Sequence, residues 1–218
     1  MKWLRGARTI PPAPWTAPST WRPTPSSFAV LIIGLMLLGV GDGLLVVADI
    51  GTTPWTVLAQ GVAVHSPWDI GFASFVVSVG VLLLWFPLRQ RPGVGTVTNV
   101  VVIALALGAT AALLGSPDAY AAKLAYAFAG ISLMGVGSGL YLTTGLGPGP
   151  RDGAMTGIHN RTGWSVGVVR LGIEVAVVVV GWLLGGTVGL GTVLFALLIG
   201  QVVAINLGFV ARLGRGQT

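Results

Sequence analysis

The chain has 218 residues, of which 54% are hydrophobic and only 8% are charged. A soluble domain carries about 25% charged residues, so this composition excludes an ordinary water-soluble enzyme and predicts a polytopic membrane protein. The absence of cysteine excludes disulfides, thiolate metal sites and cysteine nucleophiles. The net charge of +6 comes from basic residues at the ends of apolar segments, which is typical of membrane-protein loops and predicts no nucleic-acid partner.

Residues 1–27 differ in composition from the rest of the chain. They contain six prolines and four basic residues, and they lack the apolar run that a signal peptide needs. We predict a disordered, proline-rich cytoplasmic tail over residues 1–27. A second, short cytoplasmic tail is predicted over residues 211–218.

Six apolar segments follow, and a membrane-spanning helix needs about 20 mostly apolar residues. None of them alternates as a barrel strand would, so the sequence predicts an all-α protein with six transmembrane helices. The predicted spans are residues 28–48, 70–88, 95–115, 121–143, 165–184 and 189–210.

Lysine and arginine in short loops indicate the cytoplasmic side of a membrane protein. Arg89 and Arg91 stand between the second and third spans, and Arg151 and Arg161 stand between the fourth and fifth. The connections on the opposite side hold Lys123 and acidic residues. The pattern predicts a bacterial plasma-membrane protein with both termini in the cytoplasm.

An internal repeat appears when the sequence is shifted by 96 positions without a gap. Residues 39–44 then align with residues 135–140, and Trp68 aligns with Trp164. Each copy holds three spans, and an odd number of spans inverts the second copy in the membrane. We predict two inverted three-helix repeats, over residues 28–115 and 121–210, which is an arrangement typical of transporters.

About twenty residues separate the first span from the second within each repeat, more than a simple loop needs. Pro54 and Pro150 suit the first position of a short helix, with Thr53 and Gly149 as the preceding caps. Ten helical residues reach about half of a bilayer. We therefore predict two re-entrant or interfacial half-helices, whose N-terminal ends could bind an anion.

Several charged residues are candidates for function. Arg151 opposes the helix dipole in the first turn of the second half-helix, so it either binds an anionic solute, anchors the loop, or pairs with Asp152 or Glu174. Asp152 would suit a capping role there. The predicted binding residues are Thr53, Pro54, Gly149, Pro150, Arg151 and Asp152.

Ionisable residues inside spans are costly and are therefore candidates for coupling or gating. Arg170 and Glu174 stand four residues apart and could pair on one helix face, either as a static ion pair or as part of a mechanism. Asp42 lies between two glycines, where it could carry a proton, bind a cation or hydrogen-bond a neighbouring backbone.

Residues 145–157, which read GLGPGPRDGAMTG, resemble the YczE/YitT-like family of bacterial integral membrane proteins, and residues 51–55 resemble the equivalent part of the first half. The resemblance covers about residues 28–210. It implies a multi-pass membrane protein and implies no particular substrate or catalytic residue.

Two functions are compatible with these features. The first is a permease for a small, anionic solute that binds at the interface of the repeats, and the inverted repeat favours it. The second is a non-transporting accessory or scaffold membrane protein, or a membrane subunit of a multi-component importer. A homo-oligomer or another membrane partner is compatible with either function. No catalytic, metal-binding or cofactor-binding motif is present, so we predict neither an enzyme nor a cofactor.

Overall fold

A computed structural model of the chain describes residues 11–215, with side chains as far as Arg212. Within this range the chain forms eight α-helices and no strand. Six of the helices are long and apolar enough to span a membrane, which confirms the six predicted spans. The helices are α1 (Pro25–Ala48), α2 (Pro54–Val64), α3 (Ile70–Leu88), α4 (Val94–Leu113), α5 (Tyr120–Leu142), α6 (Pro150–Thr162), α7 (Val166–Leu183) and α8 (Leu190–Arg215).

Helix α1 begins three residues before the predicted span. Thr24 caps it, because the Thr24 hydroxyl accepts from the Ser27 N–H at 3.1 Å and Ser27 Oγ accepts from the Thr24 N–H at 2.8 Å. Such a reciprocal cap satisfies two otherwise unpaired N–H groups. The apolar pattern missed this turn because Ser26 and Ser27 are polar.

Helices α1 and α5 form the centre of the protein, where they cross in antiparallel directions at very short range. A Cβ atom built on Gly34 would lie 2.9 Å from Gly137 O, and one on Gly41 would lie 2.5 Å from Gly130 O. Small residues allow helix backbones to approach in this way, which replaces the hydrophobic driving force that is missing in lipid. The two central helices therefore pack backbone against backbone.

The neighbouring glycines serve a second contact on the opposite face of each central helix. Gly39 packs on Ile103 and Ala106 of α4, so α4 covers α1. Gly135 packs on Val202 of α8, so α8 covers α5. The GxGxG spacing in each central helix thus gives two small faces, one for each neighbour.

The short helices and the remaining long helices surround this centre. Helix α2 packs on α3 and α7, and α6 likewise packs on α3 and α7. Helix α3 also packs along α4, whereas the described residues of the equivalent pair in the second half, α7 and α8, show no extended packing. Val169 and Gly181 are the buried residues of α7.

Part of the segment predicted as a disordered tail lies against the helices. The Trp15 indole N–H donates to Thr143 Oγ1 at 3.1 Å, and the Ala17 N–H donates to Thr144 O at 2.8 Å. The Val94 N–H donates to Thr20 O at 3.0 Å, which ties the same segment to the start of α4. The structure therefore differs from the predicted N-terminal tail at residues 15–20 and 25–27, and from the predicted C-terminal tail at residues 211–215, which belong to α8. Residues 1–10 and 216–218 lie outside the described range.

Candidate functional site

The two short helices begin as the sequence predicted. Helix α2 starts at Pro54 with Thr53 as its cap, and the Thr53 hydroxyl accepts from the Thr56 N–H at 3.4 Å. Helix α6 starts at Pro150 with Gly149 as its cap. Proline is favoured at this position because its missing N–H would be unpaired there in any case.

The N-terminal ends of α2 and α6 face one cavity of about 190 Å³. The other walls come from α1, α3, α4, α5, α7 and α8, so both halves of the chain contribute. Seven of the residues singled out from the sequence line it, namely Thr53, Gly149, Pro150, Arg151, Asp152, Arg170 and Glu174. Pro54 and Asp42 are buried behind this lining.

Arg151 and Trp55 meet across the cavity. The Arg151 guanidinium lies 5.3 Å from the centre of the Trp55 ring, a distance at which the ring attracts a cation. In the part of the chain that the structure describes, Arg151 forms no ion pair with Asp152 or Glu174, although Asp42, Asp152 and Glu174 all attract it electrostatically. The pairing considered from the sequence is therefore not formed.

Asp42 connects the middle of α1 to the start of α2. Its Oδ2 accepts from Thr56 Oγ1 at 2.7 Å, and its Oδ1 accepts from Thr53 Oγ1 at 3.2 Å. The carboxylate is 1% exposed. A buried carboxylate needs such donors, and two hydroxyls supply them here.

Tyr141 connects the end of α5 to the start of α6. Its hydroxyl donates to Asp152 Oδ2 and accepts from the Gly149 N–H at 3.3 Å. Asp152 therefore has a side-chain partner on α5. From the sequence, Asp152 was a candidate for binding or for capping, whereas no pattern indicated Tyr141.

The two halves use the same type of contact with the partners exchanged. In the first half the acid is on the long helix (Asp42) and the hydroxyl is on the short helix (Thr56). In the second half the acid is on the short helix (Asp152) and the hydroxyl is on the long helix (Tyr141). Thr56 and Asp152 are equivalent positions of the 96-residue repeat, so the same position of each short helix forms an acid–hydroxyl hydrogen bond to a long helix.

Arg170 and Glu174 form the ion pair that their spacing predicted. Arg170 Nε lies 2.9 Å from Glu174 Oε1. The side chains are 46% and 26% exposed, so the ion pair is not fully enclosed by the protein. Glu174 and Ser78 are equivalent positions of the repeat, and both line the cavity.

Trp85 fixes the position of α6 from α3. Its indole N–H donates to Pro150 O at 2.9 Å, and its ring packs where Gly153 has no side chain. The contact is buried beside Val81 and Ala154. The first turn of α6, which carries Arg151, is thereby held against α3.

Replacing Trp85 by phenylalanine should remove this hydrogen bond while keeping an aromatic ring. We expect a loss of about 1 kcal/mol of stability and a fall of roughly 2–4 °C in melting temperature, measured on the purified protein in detergent. Trp182→Phe is the matched control, because Trp182 is 62% exposed. An equal fall in both variants would contradict the role given to Trp85.

Three cavity residues come from distant parts of the chain and were not predicted from the sequence. Trp55, Ser78 and Tyr141 carried no local signal for this cavity. The 96-residue repeat did contain a clue, because Trp55 and Ser78 are the equivalents of Arg151 and Glu174.

Comparison with known proteins places this architecture in a family. Residues 26–207 match the family described as "Family of unknown function (DUF6198)". The chain belongs to this family. No solved structure matches the chain.

Two relatives extend the match over most of the chain. A protein of Haemophilus influenzae, described as an uncharacterized protein, is 48% identical over 94% of each chain. The uncharacterized membrane protein YczE of Bacillus subtilis is 32% identical over 80% of this chain and 82% of its own. The resemblance drawn from residues 145–157 is confirmed by this second relative. The six long apolar helices and the description of YczE as a membrane protein agree with a multi-pass membrane protein.

Proposed function

We propose that the protein is a permease that carries a small solute with an anionic group across the bacterial plasma membrane. The observation that carries this proposal is the cavity between the N-terminal ends of α2 and α6. The solute would bind at Thr53, Gly149, Pro150 and Arg151, with Asp42, Arg170 and Glu174 taking part in coupling or gating.

Three features support an inverted repeat around this cavity. The equivalent helices α1 and α5 are antiparallel. The Gly95 N–H donates to Leu146 O at 2.8 Å, and the equivalent Gly191 N–H donates to Ile50 O at 2.7 Å. Residues 49, 51 and 89 have positive φ angles, as do their equivalents 145, 147 and 185. Transporters with inverted repeats bind their substrates where the repeats meet.

The position of α2 supports a re-entrant half-helix. Thr53 and Thr56 contact Asp42, which lies six residues before the end of α1 and hence about 9 Å inside it. Helix α2 then runs outward to the exposed His65. We propose the corresponding arrangement for α6.

The charges favour an anionic group on the solute. Among the described residues, Asp42, Asp152 and Glu174 each have a hydrogen bond or ion pair of their own, whereas Arg151 has no ion pair and contacts the Trp55 ring. The helix N-termini add partial positive charge at the same place. An anion at Arg151 would therefore receive a charge-assisted hydrogen bond together with backbone N–H donors.

Labelling of single cysteines tests the permease proposal, because the natural chain has none. Ser78→Cys and Ser138→Cys would place a thiol in the cavity from α3 and from α5. We expect a membrane-impermeant maleimide to label both positions in intact cells and also in inside-out vesicles. Access from both faces is what an alternating-access cavity requires.

Ser132→Cys is the matched control, because Ser132 is exposed on the outside of α5. It should stay unlabelled in the membrane from either face. Labelling of the cavity thiols from one face alone would contradict transport and would favour the accessory or scaffold function. A cysteine added after Thr218, labelled only in inside-out vesicles, tests the proposed cytoplasmic C-terminus.

A further inference from the structure

The cavity is bordered by two helices that do not close against each other. In the first half, a Cβ atom built on Gly71 would lie 2.8 Å from Ala104 O and 2.8 Å from Gly108 Cα, so α3 and α4 are in tight contact. The equivalent residue in the second half is Gly167, and nothing lies within 4 Å of its Cβ position. Gly200, the equivalent of Ala104, also faces open space. These sides of α7 and α8 therefore leave an opening, and residues of both helices line the cavity.

The two sides of this opening differ in chemistry. Helix α7 presents the charged residues Arg170 and Glu174 together with Ile173. Helix α8 presents the apolar residues Phe195, Ile199 and Val203. The opening is charged along one side and apolar along the other, which suits a molecule that has both a polar and an apolar part.

The size of the cavity limits what can be enclosed. A volume of about 190 Å³ is close to that of an apolar cavity of roughly 150 Å³ that holds one benzene molecule. That space accepts a carboxylate or phosphate group with its first substituents. A longer hydrocarbon chain would have to leave through the opening between α7 and α8. Both of these helices are long and apolar enough to span a membrane.

We propose that the solute is an anionic amphiphile whose head group binds Arg151 and whose hydrocarbon chain passes between α7 and α8 into the bilayer. This inference rests on the proposed function and specifies its substrate class. The head group covers the exposed Arg170–Glu174 pair, which lipid chains alone would leave poorly solvated. The chain packs on Phe195, Ile199 and Val203.

Two anions that differ only in chain length test the proposal. The full-length Ser138→Cys variant is placed in phosphatidylcholine nanodiscs, and the rate of labelling by a water-soluble maleimide is measured with dodecanoate or butyrate. We expect dodecanoate to slow labelling at least tenfold at a concentration at which butyrate has no effect. Equal protection by the two anions, or protection by neither, would overturn the proposal.

Two tryptophan substitutions on α8 locate the hydrocarbon chain. In the same reporter background, Val203→Trp fills the opening and should abolish protection by dodecanoate. Leu197→Trp is the matched control, because Leu197 is on the same helix and is 64% exposed on its outer side. Protection that survives in Val203→Trp as well as in Leu197→Trp would show that the chain does not use this opening.

The source of the amphiphile is tested by lipid composition. Nanodiscs that contain phosphatidylglycerol and no dodecanoate should protect the thiol if a membrane lipid is the ligand, and should leave it reactive if a free single-chain anion is. Either result supports an anionic amphiphile, provided that dodecanoate protects in phosphatidylcholine. If dodecanoate protects the thiol but the cavity thiols are labelled from one membrane face only, transport is contradicted and the anionic amphiphile is still supported. Failure of the permease proposal can therefore be distinguished from failure of this inference.

Discussion

Alanine at Gly137 is expected to lower the melting temperature of the protein by roughly 2–12 °C, because overpacking costs about 1–3 kcal/mol and each kcal/mol corresponds to about 2–4 °C at this chain length. The added methyl group would overlap Gly34 O, and it would lie 2.9 Å from the Leu38 backbone nitrogen. Backbone atoms cannot rotate away as a side chain can, so α1 and α5 would have to separate. The same result is expected for Gly41→Ala, because its new Cβ atom would lie 2.5 Å from Gly130 O.

Two other glycines provide the control for this prediction. Gly80 and Gly172 lie within α3 and α7, and a Cβ atom at either position meets nothing within 4 Å. Alanine there should leave the melting temperature unchanged or raise it slightly, since alanine is the better helix former. Thermal unfolding of all four variants in one detergent makes the comparison. If Gly137→Ala or Gly41→Ala were as stable as Gly80→Ala and Gly172→Ala, the α1–α5 crossing would be able to relax.

The second large effect is expected at Arg151. Replacing it by alanine should weaken binding of an anionic solute by about tenfold to 150-fold, because a hydrogen bond to a charged group contributes about 1.5–3 kcal/mol and 1.4 kcal/mol is tenfold. Arg151 is suited to this role because its charge lacks an ion pair among the described residues while the nearby carboxylates have partners. The readout is protection of the Ser138→Cys thiol across a range of dodecanoate concentrations.

Arg161→Ala is the control for this change. Arg161 is in the last turn of the same helix, is exposed, and lies outside the cavity lining. It removes the same charge from the same helix, so a general effect of net charge would appear in both variants. If the affinity for dodecanoate were unchanged in Arg151→Ala, the basis for an anionic substrate would be removed. The alternative that Arg151 anchors the loop would then be favoured.

The sequence predicted those features that depend on neighbours along the chain. The six spans follow from apolar runs, and the starts of α2 and α6 follow from Thr53-Pro54 and Gly149-Pro150. The Arg170–Glu174 pair follows from helical spacing. In each case the determining residues belong to one continuous stretch of the chain, so local geometry is sufficient.

The features that the sequence did not predict depend on contacts between distant segments. The Tyr141–Asp152 hydrogen bond and the Trp55–Arg151 contact require α2, α5 and α6 to meet at one cavity. The same holds for residues 15–20, whose proline-rich surroundings suggested disorder although their donors and acceptors pair with residues 94, 143 and 144. Composition indicates the conformation that an isolated segment prefers, but it does not indicate the tertiary contacts that the segment forms in the folded protein.

The reciprocal hydrogen bonds between the halves have a consequence for biosynthesis. Gly95 at the start of α4 donates to Leu146, and Gly191 at the start of α8 donates to Ile50. The N-terminal half leaves the ribosome first, and its Gly95 amide has no native acceptor until residue 146 has been synthesised. Helices α1 to α4 are therefore synthesised before this native contact between the halves can form. If the two halves were made as separate chains, each would supply the acceptor that the other lacks.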